Sequence, residues 1–169
     1  MSVGTTRIAA QAGAVIDVSA YLAGDLAETK VPIMVANIGW TYGTGANQVN
    51  LIYQDKITLA DDATTTLSFF DGGLLNIYNV AMTMSSLKLL YIHNNSADAT
   101  LNVFGGASLD LLIVAATSDI LYIKPGGTFL WADPSAAGTL MTVNKNLKLL
   151  HGGQGSSDLI ADVIVMGLD

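Results

Sequence analysis

Apolar and polar residues alternate in short runs along most of this chain. Residues 15–18, 64–69 and 100–104 each carry such a run, and Gly, Asn or Asp follows soon after most of them. Alternation of this kind predicts a half-buried β-strand, because successive side chains of a strand point to opposite faces of a sheet. We therefore predict extended segments at these positions.

Further strand candidates recur about every 8–12 residues, with turn-forming residues between them. Pro32 lies within one of these runs and suits an edge strand, because proline cannot donate a ladder hydrogen bond. In the run at 49–59 the alternation is broken near Gln54 and Asp55. The remaining predicted strands are at 31–35, 87–92, 111–114, 120–123, 128–131, 140–143, 147–150 and 160–166.

This spacing is typical of a β-sandwich or barrel, so we predict an all-β, antiparallel fold. No stretch keeps an apolar period of 3.6 residues over three turns, and residues 19–29 are expected to form at most one or two short helical turns. Residues 79–86 are ambiguous. The 169 residues predict one domain at 13–169, preceded by an N-terminal arm at 1–12 whose residues are small and polar.

Two loops are predicted from their glycines. Residues 40–48 contain Gly43 and Gly45 and are expected to form a long surface loop. The sequence Pro125-Gly126-Gly127 predicts a tight turn, because Pro fixes φ for the second turn position and Gly accepts a positive φ at the third. We expect this turn to join its two flanking strands as a hairpin.

The composition excludes several classes of protein. Apolar residues make up 51% of the chain and charged residues 12%, which excludes an intrinsically disordered chain. The formal net charge of −7 argues against a nucleic-acid partner, because phosphate binding needs clustered Lys and Arg. The longest apolar runs are far shorter than the ~20 residues of a membrane helix, so we expect no membrane partner. The absence of cysteine removes disulfides and thiol chemistry.

No catalytic motif is recognisable among the polar residues. His93 and His151 each end a strand-like run without a second histidine nearby, and a zinc site needs three or four ligands. Asp61 and Asp62 are adjacent, so in a strand they would point to opposite faces of the sheet and in a turn they would only solvate it. We therefore expect no enzyme activity, no cofactor and no metal. A calcium site built from Asp-containing turns and a small metal enzyme of the cupin type are the weaker alternatives.

Aromatic residues are the remaining candidates for function. Trp40 and Tyr42 lie beside a Gly-rich segment and could belong to the core, anchor a protein interface or form a stacking platform for a sugar. We assign Trp40, Tyr42 and Trp131 as candidate interface residues.

Several phrases of the sequence carry a resemblance. Two of these segments contain Trp40-Thr41-Tyr42-Gly43-Thr44-Gly45 and the run from Leu87 to Ser96. The full set covers residues 40–60, 66–67, 71–74, 87–96, 101–106 and 123–130. Together these phrases resemble small β-sandwich virion proteins of tailed bacteriophages, the cement or decoration proteins of the capsid lattice. The resemblance spans residues 40–168, and residues 1–39 have no part in it.

The resemblance implies a jelly-roll-like sandwich that binds the phage head as a homotrimer and stabilises it against the pressure of packaged DNA. The implied partners are the major capsid protein and further copies of this chain, at the capsid surface of the virion. Related small tail components share the architecture, so a carbohydrate- or receptor-binding domain of a phage tail is the alternative function.

Overall fold

A computed structural model describes residues 9–12, 15–20, 29–34, 38–105, 119–141, 146–153 and 157–169, with side chains from residue 38 onward. These residues form strands, turns and loops, and no helix occurs within the described ranges. The strands are β1 (Ala9–Ala12), β2 (Val15–Ala20), β3 (Thr29–Met34), β4 (Ile38–Tyr42), β5 (Gln48–Val49), β6 (Leu51–Leu59), β7 (Thr64–Ser68), β8 (Leu74–Leu75), β9 (Ala81–Met82), β10 (Ser86–Asn94), β11 (Leu101–Gly105), β12 (Ile120–Ile123), β13 (Thr128–Ala132), β14 (Thr139–Leu140), β15 (Asn146–His151) and β16 (Leu159–Leu168).

Two antiparallel sheets form the body of the protein. The first sheet has the strand order β13-β10-β16-β6, with β14 paired to the start of β10. The second sheet has the order β12-β11-β15-β7. Because the two sheets pack face to face over a common core, the predicted all-β, antiparallel sandwich is confirmed.

The core between the sheets is filled by alternate side chains of both. In β11 and β15 the buried positions are the odd-numbered ones, and the intervening side chains are only half-buried. Each fully buried Leu, Val or Ile contributes about 1.5–3 kcal/mol relative to an exposed one. Fully buried members of this core include Ile92, Leu101, Leu147, Leu149, Leu159, Ala161, Val163 and Val165.

A third layer covers part of the outer face of the first sheet. Leu89 and Met166 occupy outward positions on β10 and β16, where they form a second buried cluster with Trp40 of β4 and Val49 of β5. Strand β4 pairs with β1 in antiparallel fashion and with β5 in parallel fashion. This three-stranded sheet therefore lies against the sandwich through the indole ring of Trp40.

One extra residue in β10 redirects a lysine. Leu87 pairs with Gly167 of β16 and Leu89 pairs with Met166, so Lys88 has no partner across the ladder. This arrangement is a β-bulge, which bends a strand and re-aims one side chain. Gly167 is required opposite the bulge, because a Cβ there would lie 2.2 Å from the carbonyl oxygen of Ser86.

The turn at 124–127 is confirmed, but the predicted hairpin is wrong. Gly126 has φ 72° and the amide of Gly127 donates to the carbonyl of Lys124 at 2.8 Å, as expected. However, β12 pairs with β11 in the second sheet, whereas β13 pairs with β10 in the first. The turn therefore crosses from one sheet to the other. Buried Asn94 holds it there, because its side chain donates to the carbonyl of Ile123.

The loop predicted at 40–48 is shorter in the structure. Residues 40–42 belong to β4 and residue 48 belongs to β5, so the loop itself covers 43–47. The glycines gave the position of the loop correctly, but the burial of Trp40 extends a strand into the predicted segment.

Several predictions fall wholly or partly outside the described residues. The strand predicted at 111–114, residues 1–8 of the predicted arm and residues 21–28 of the predicted helical segment all lie there. Residues 9–12 of the predicted arm form β1. Pro32 lies in β3, which pairs only with β2 among the described strands, as expected of an edge strand.

Candidate functional site

Exposed apolar side chains concentrate at one loop of the molecule. Leu75, Ile77, Tyr78 and Val80 are each between 46% and 57% exposed, within six consecutive residues that comprise the last residue of β8 and the loop before β9. We call residues 75–80 the apolar knob. Exposed apolar side chains gathered in one place mark interaction sites more often than isolated ones do. The other exposed large apolar residues with described side chains are Tyr42, Ile120, Tyr122, Leu130 and Leu140.

Hydrogen bonds fix the shape of the apolar knob. The side-chain oxygen of Asn76 accepts from the amides of Tyr78 at 2.9 Å and Val80 at 3.1 Å. Asn79 adopts φ 64°, a left-handed conformation that asparagine tolerates better than most residues. The knob is therefore ordered before any partner arrives, which lowers the entropic cost of binding.

A groove of about 420 Å³ lies beside the knob, over the edge of the first sheet. Its lining includes Gln54 and Lys56 of β6, Asp162 and Ile164 of β16, and Ile77 of the knob. The amide of Ile77 donates to a carbonyl of β6 at 3.1 Å, which joins the knob to this edge. Knob and groove are therefore adjoining parts of one surface.

Polar groups at the groove partly balance one another. Lys56 and Asp162 are cross-strand partners, and the ammonium nitrogen of Lys56 lies 3.9 Å from a carboxylate oxygen of Asp162. Asn95 contacts the other carboxylate oxygen at 3.4 Å. An exposed pair of this kind contributes only about 0–1 kcal/mol to stability. The half-buried side chain of Ile164 adds an apolar surface to this groove.

The three aromatic residues assigned to an interface occupy different environments. Trp40 is 1% exposed and packs in the second cluster, which supports the core alternative for this residue. Tyr42 is 51% exposed at the end of the same strand. Trp131 is half-buried and packs against the main core. The structure does not bring the three rings together on one exposed surface.

The two histidines make structural contacts. His151 is fully buried, its Nδ1 accepts from the amide of Gly153 at 3.2 Å, and its Nε2 therefore donates to the carbonyl of Ser157 at 3.1 Å. A carboxylate oxygen of Asp61 lies 3.4 Å from Nδ1. His93 contacts Thr128 at 2.9 Å across the neighbouring strand. Within the described ranges, no three His, Asp or Glu side chains are placed to hold a metal ion.

Lys88 is fully buried and links two loops through hydrogen bonds. Its ammonium group donates to the carbonyls of Ser135, Ala136 at 3.0 Å and Gly45 at 3.4 Å. Burial lowers the pKa of Lys88, and the charge of Asp133 partly offsets this effect. The contact with Gly45 joins the third layer to the sandwich.

The apolar knob was not predicted from the sequence. Its residues follow Gly72 and Gly73 and are interrupted by Asn76 and Asn79, so the segment resembles an ordinary turn region. The sequence feature that could have indicated the knob is the set of three aliphatic residues and a tyrosine interspersed with the two asparagines.

Comparison of the chain with protein-family models and with curated protein sequences finds no match. Among the described residues, no helix has the length and apolar character needed to cross a membrane.

Proposed function

We propose that this protein is a structural subunit of a phage virion, a cement protein that binds the head lattice as a homotrimer and stabilises it. The observation that carries this proposal is the apolar knob, which exposes four large apolar side chains within six consecutive residues. A preorganised apolar projection is suited to burial against other protein subunits. The resemblance to capsid decoration proteins supplies the identity of the partner.

We also infer that the sandwich is a jelly roll. When the two-residue strand β14 is left out, the two sheets have eight strands; in chain order the first pairs with the eighth (β6 with β16) and the second with the seventh (β7 with β15). The third pairs with the sixth (β10 with β13) and the fourth with the fifth (β11 with β12). These are the pairings of one long antiparallel ribbon rolled into two sheets, the arrangement found in many capsid domains.

The proposed mechanism is added interface rather than chemistry. A subunit that binds assembled shells and not free capsid subunits shifts the equilibrium towards the assembled shell, in the same way that a ligand stabilises the state it binds. Apolar side chains buried at such contacts supply the free energy. The net charge of −7 keeps decorated particles soluble and mutually repelling.

Co-sedimentation with undecorated phage shells tests this proposal. The protein is expected to pellet with the shells and to saturate at a fixed number of copies per shell. The Val80→Asp variant, which places a charge on the exposed knob, is expected to pellet with the shells less than the wild type does. If the wild-type protein stays in the supernatant at every concentration, the proposal is wrong.

The groove favours one second candidate, a carbohydrate- or receptor-binding domain of a phage tail. Gln54, Lys56 and Asp162 place hydrogen-bonding groups beside Ile164, and polar groups around an apolar surface are typical of ligand sites. A glycan-array signal that is lost on Gln54→Ala and kept on Tyr42→Ala would favour this candidate over the cement protein.

A further inference from the structure

The apolar knob is suited to contact between copies of this chain. Its six residues, 75–80, include no charged side chain, although the whole chain has a net charge of −7. Two copies of an acidic protein repel each other least where neutral surfaces meet. Tyr78 and Val80 are each more than half exposed, so both have apolar surface to lose on association.

The groove is suited to receive the knob. Leu89 and Met166 lie beneath the third layer, and the next outward position on β16, Ile164, packs against their cluster but stays half-buried. Gln54, Asp55 and the Lys56–Asp162 pair line the same groove beside Ile164, and their polar groups can stay hydrated when the contact forms. Protein interfaces commonly combine apolar side chains with polar groups that stay in contact with water.

We propose that the knob of one copy seats in the groove of a second copy, around a three-fold axis that passes close to Ile77. This inference rests on the proposed function, in which the chain is a homotrimer. A contact between two different surfaces repeats from copy to copy and closes into a ring when the rotation allows it. The knob and the groove of one copy adjoin at Ile77. A rotation that moves the knob of one copy into the groove of the next must therefore have its axis close to Ile77.

The rival surface is the outer face of the second sheet. Ile120 and Tyr122 of β12 are 38% and 59% exposed there. Tyr122 is thus as exposed as Tyr78, but it lies on the opposite side of the sandwich from the groove. The two tyrosines therefore form a matched pair for testing which surface joins the copies.

The test is the oligomeric mass of the full chain in solution, measured by light scattering across a concentration series. We expect a trimer for the wild type and a monomer for Tyr78→Asp and for Val80→Asp. Tyr122→Asp is expected to remain a trimer. Gln54→Trp fills the groove from an exposed position and is expected to give a monomer too. Circular dichroism of each variant confirms that the sandwich is folded.

Mixing two of the variants gives a further test, because misfolding of either variant cannot produce the expected result. A Tyr78→Asp copy keeps an intact groove, and a Gln54→Trp copy keeps an intact knob. Together they can form one contact and no more, so an equimolar mixture is expected to give a heterodimer from two monomeric variants. A mixture that remains monomeric overturns the proposed contact.

The remaining outcomes separate this inference from the proposed function. A wild-type monomer, or a trimer lost on Tyr122→Asp and kept on Tyr78→Asp, overturns the knob-and-groove contact. If such a protein still protects phage shells, the cement role stands without this contact, and a wild-type monomer would remove only the homotrimer from the proposed function. A trimer that dissociates on Tyr78→Asp but never binds shells supports the contact and contradicts the cement role.

Discussion

The ammonium nitrogen of Lys88 lies 3.0 Å from the carbonyl oxygen of Ala136, and the lysine side chain has no exposed surface. Two further carbonyls, those of Ser135 and Gly45, accept from the same nitrogen. A buried cation is costly unless hydrogen bonds replace its hydration. Three carbonyls from two loops do so here, and the bulge in β10 places the lysine among them.

We predict that Lys88→Met lowers the free energy of unfolding by about 1–3 kcal/mol, because it leaves buried carbonyl acceptors without a donor. Denaturant unfolding measures this difference. Lys124→Met, at an exposed lysine, is the control and is expected to change stability by less than about 0.5 kcal/mol. An unchanged or higher stability for Lys88→Met would show that the ammonium is not needed to hold the loops.

Tyr53 makes stability depend on pH in the alkaline range. Burial raises the pKa of Tyr53 well above its ordinary value of 10.0, and the nearby charge of Asp55 and its hydrogen bond add to the effect. The unfolded chain therefore ionises first, and the free energy of unfolding falls as the pH rises above 10.0.

Tyr53→Phe lacks this ionisation. The difference in unfolding free energy between wild type and variant is expected to be constant below about pH 9 and to decrease by pH 10.5. Denaturant titrations at several pH values measure it. A difference that stays constant over the whole range would contradict the raised pKa.

Asn94 is expected to be essential for the crossing between sheets. Its side-chain amide donates to the carbonyls of Ala99 and Ile123, both at 2.8 Å, and it is fully buried. Asn94→Ala leaves these acceptors unsatisfied, and we predict a loss of about 2–4 kcal/mol in unfolding free energy. Asn95→Ala, at the exposed neighbour, should cost less than about 0.5 kcal/mol. Equal losses for the two variants would refute the role of Asn94.

Trp40 is predicted to stabilise the protein by packing alone. Its indole Nε1 has no hydrogen-bond partner among the described residues, so Trp40→Phe loses no hydrogen bond. We expect Trp40→Phe to cost less than about 1.5 kcal/mol and Trp40→Ala to cost about 3–5 kcal/mol. Thermal or denaturant unfolding separates the two. Similar losses for both variants would contradict a contribution that comes from packing alone.

The strands and turns could be predicted from local pattern, because alternation and turn residues act over a few positions. The assignment of strands to sheets could not. The turn after β12 has the sequence of a hairpin turn, but Asn94, about thirty residues earlier in the chain, directs β13 to the other sheet. The adjacent apolar pair Leu89-Leu90 breaks the alternation of β10, yet only the paired strand shows that Lys88 is the inserted residue.

The candidate site was less predictable than the fold. The position of Trp40 beside a Gly-rich loop favours an interface role, because tryptophan is enriched at interfaces. In the structure, however, packing with Leu89 and Met166 buries it. The apolar knob contains two asparagines and follows two glycines, as a turn often does, and no periodic pattern reveals the hydrogen bonds of Asn76 that fix its shape.

In the proposed function, the protein stabilises an assembled shell through the contacts that it adds to the shell. The most direct measurement is the temperature at which phage shells open, recorded with and without bound protein. We predict that saturating protein raises this temperature and that the Val80→Asp variant, which leaves the core intact, raises it less. Shells that open at the same temperature whether or not the wild-type protein is present would contradict the account.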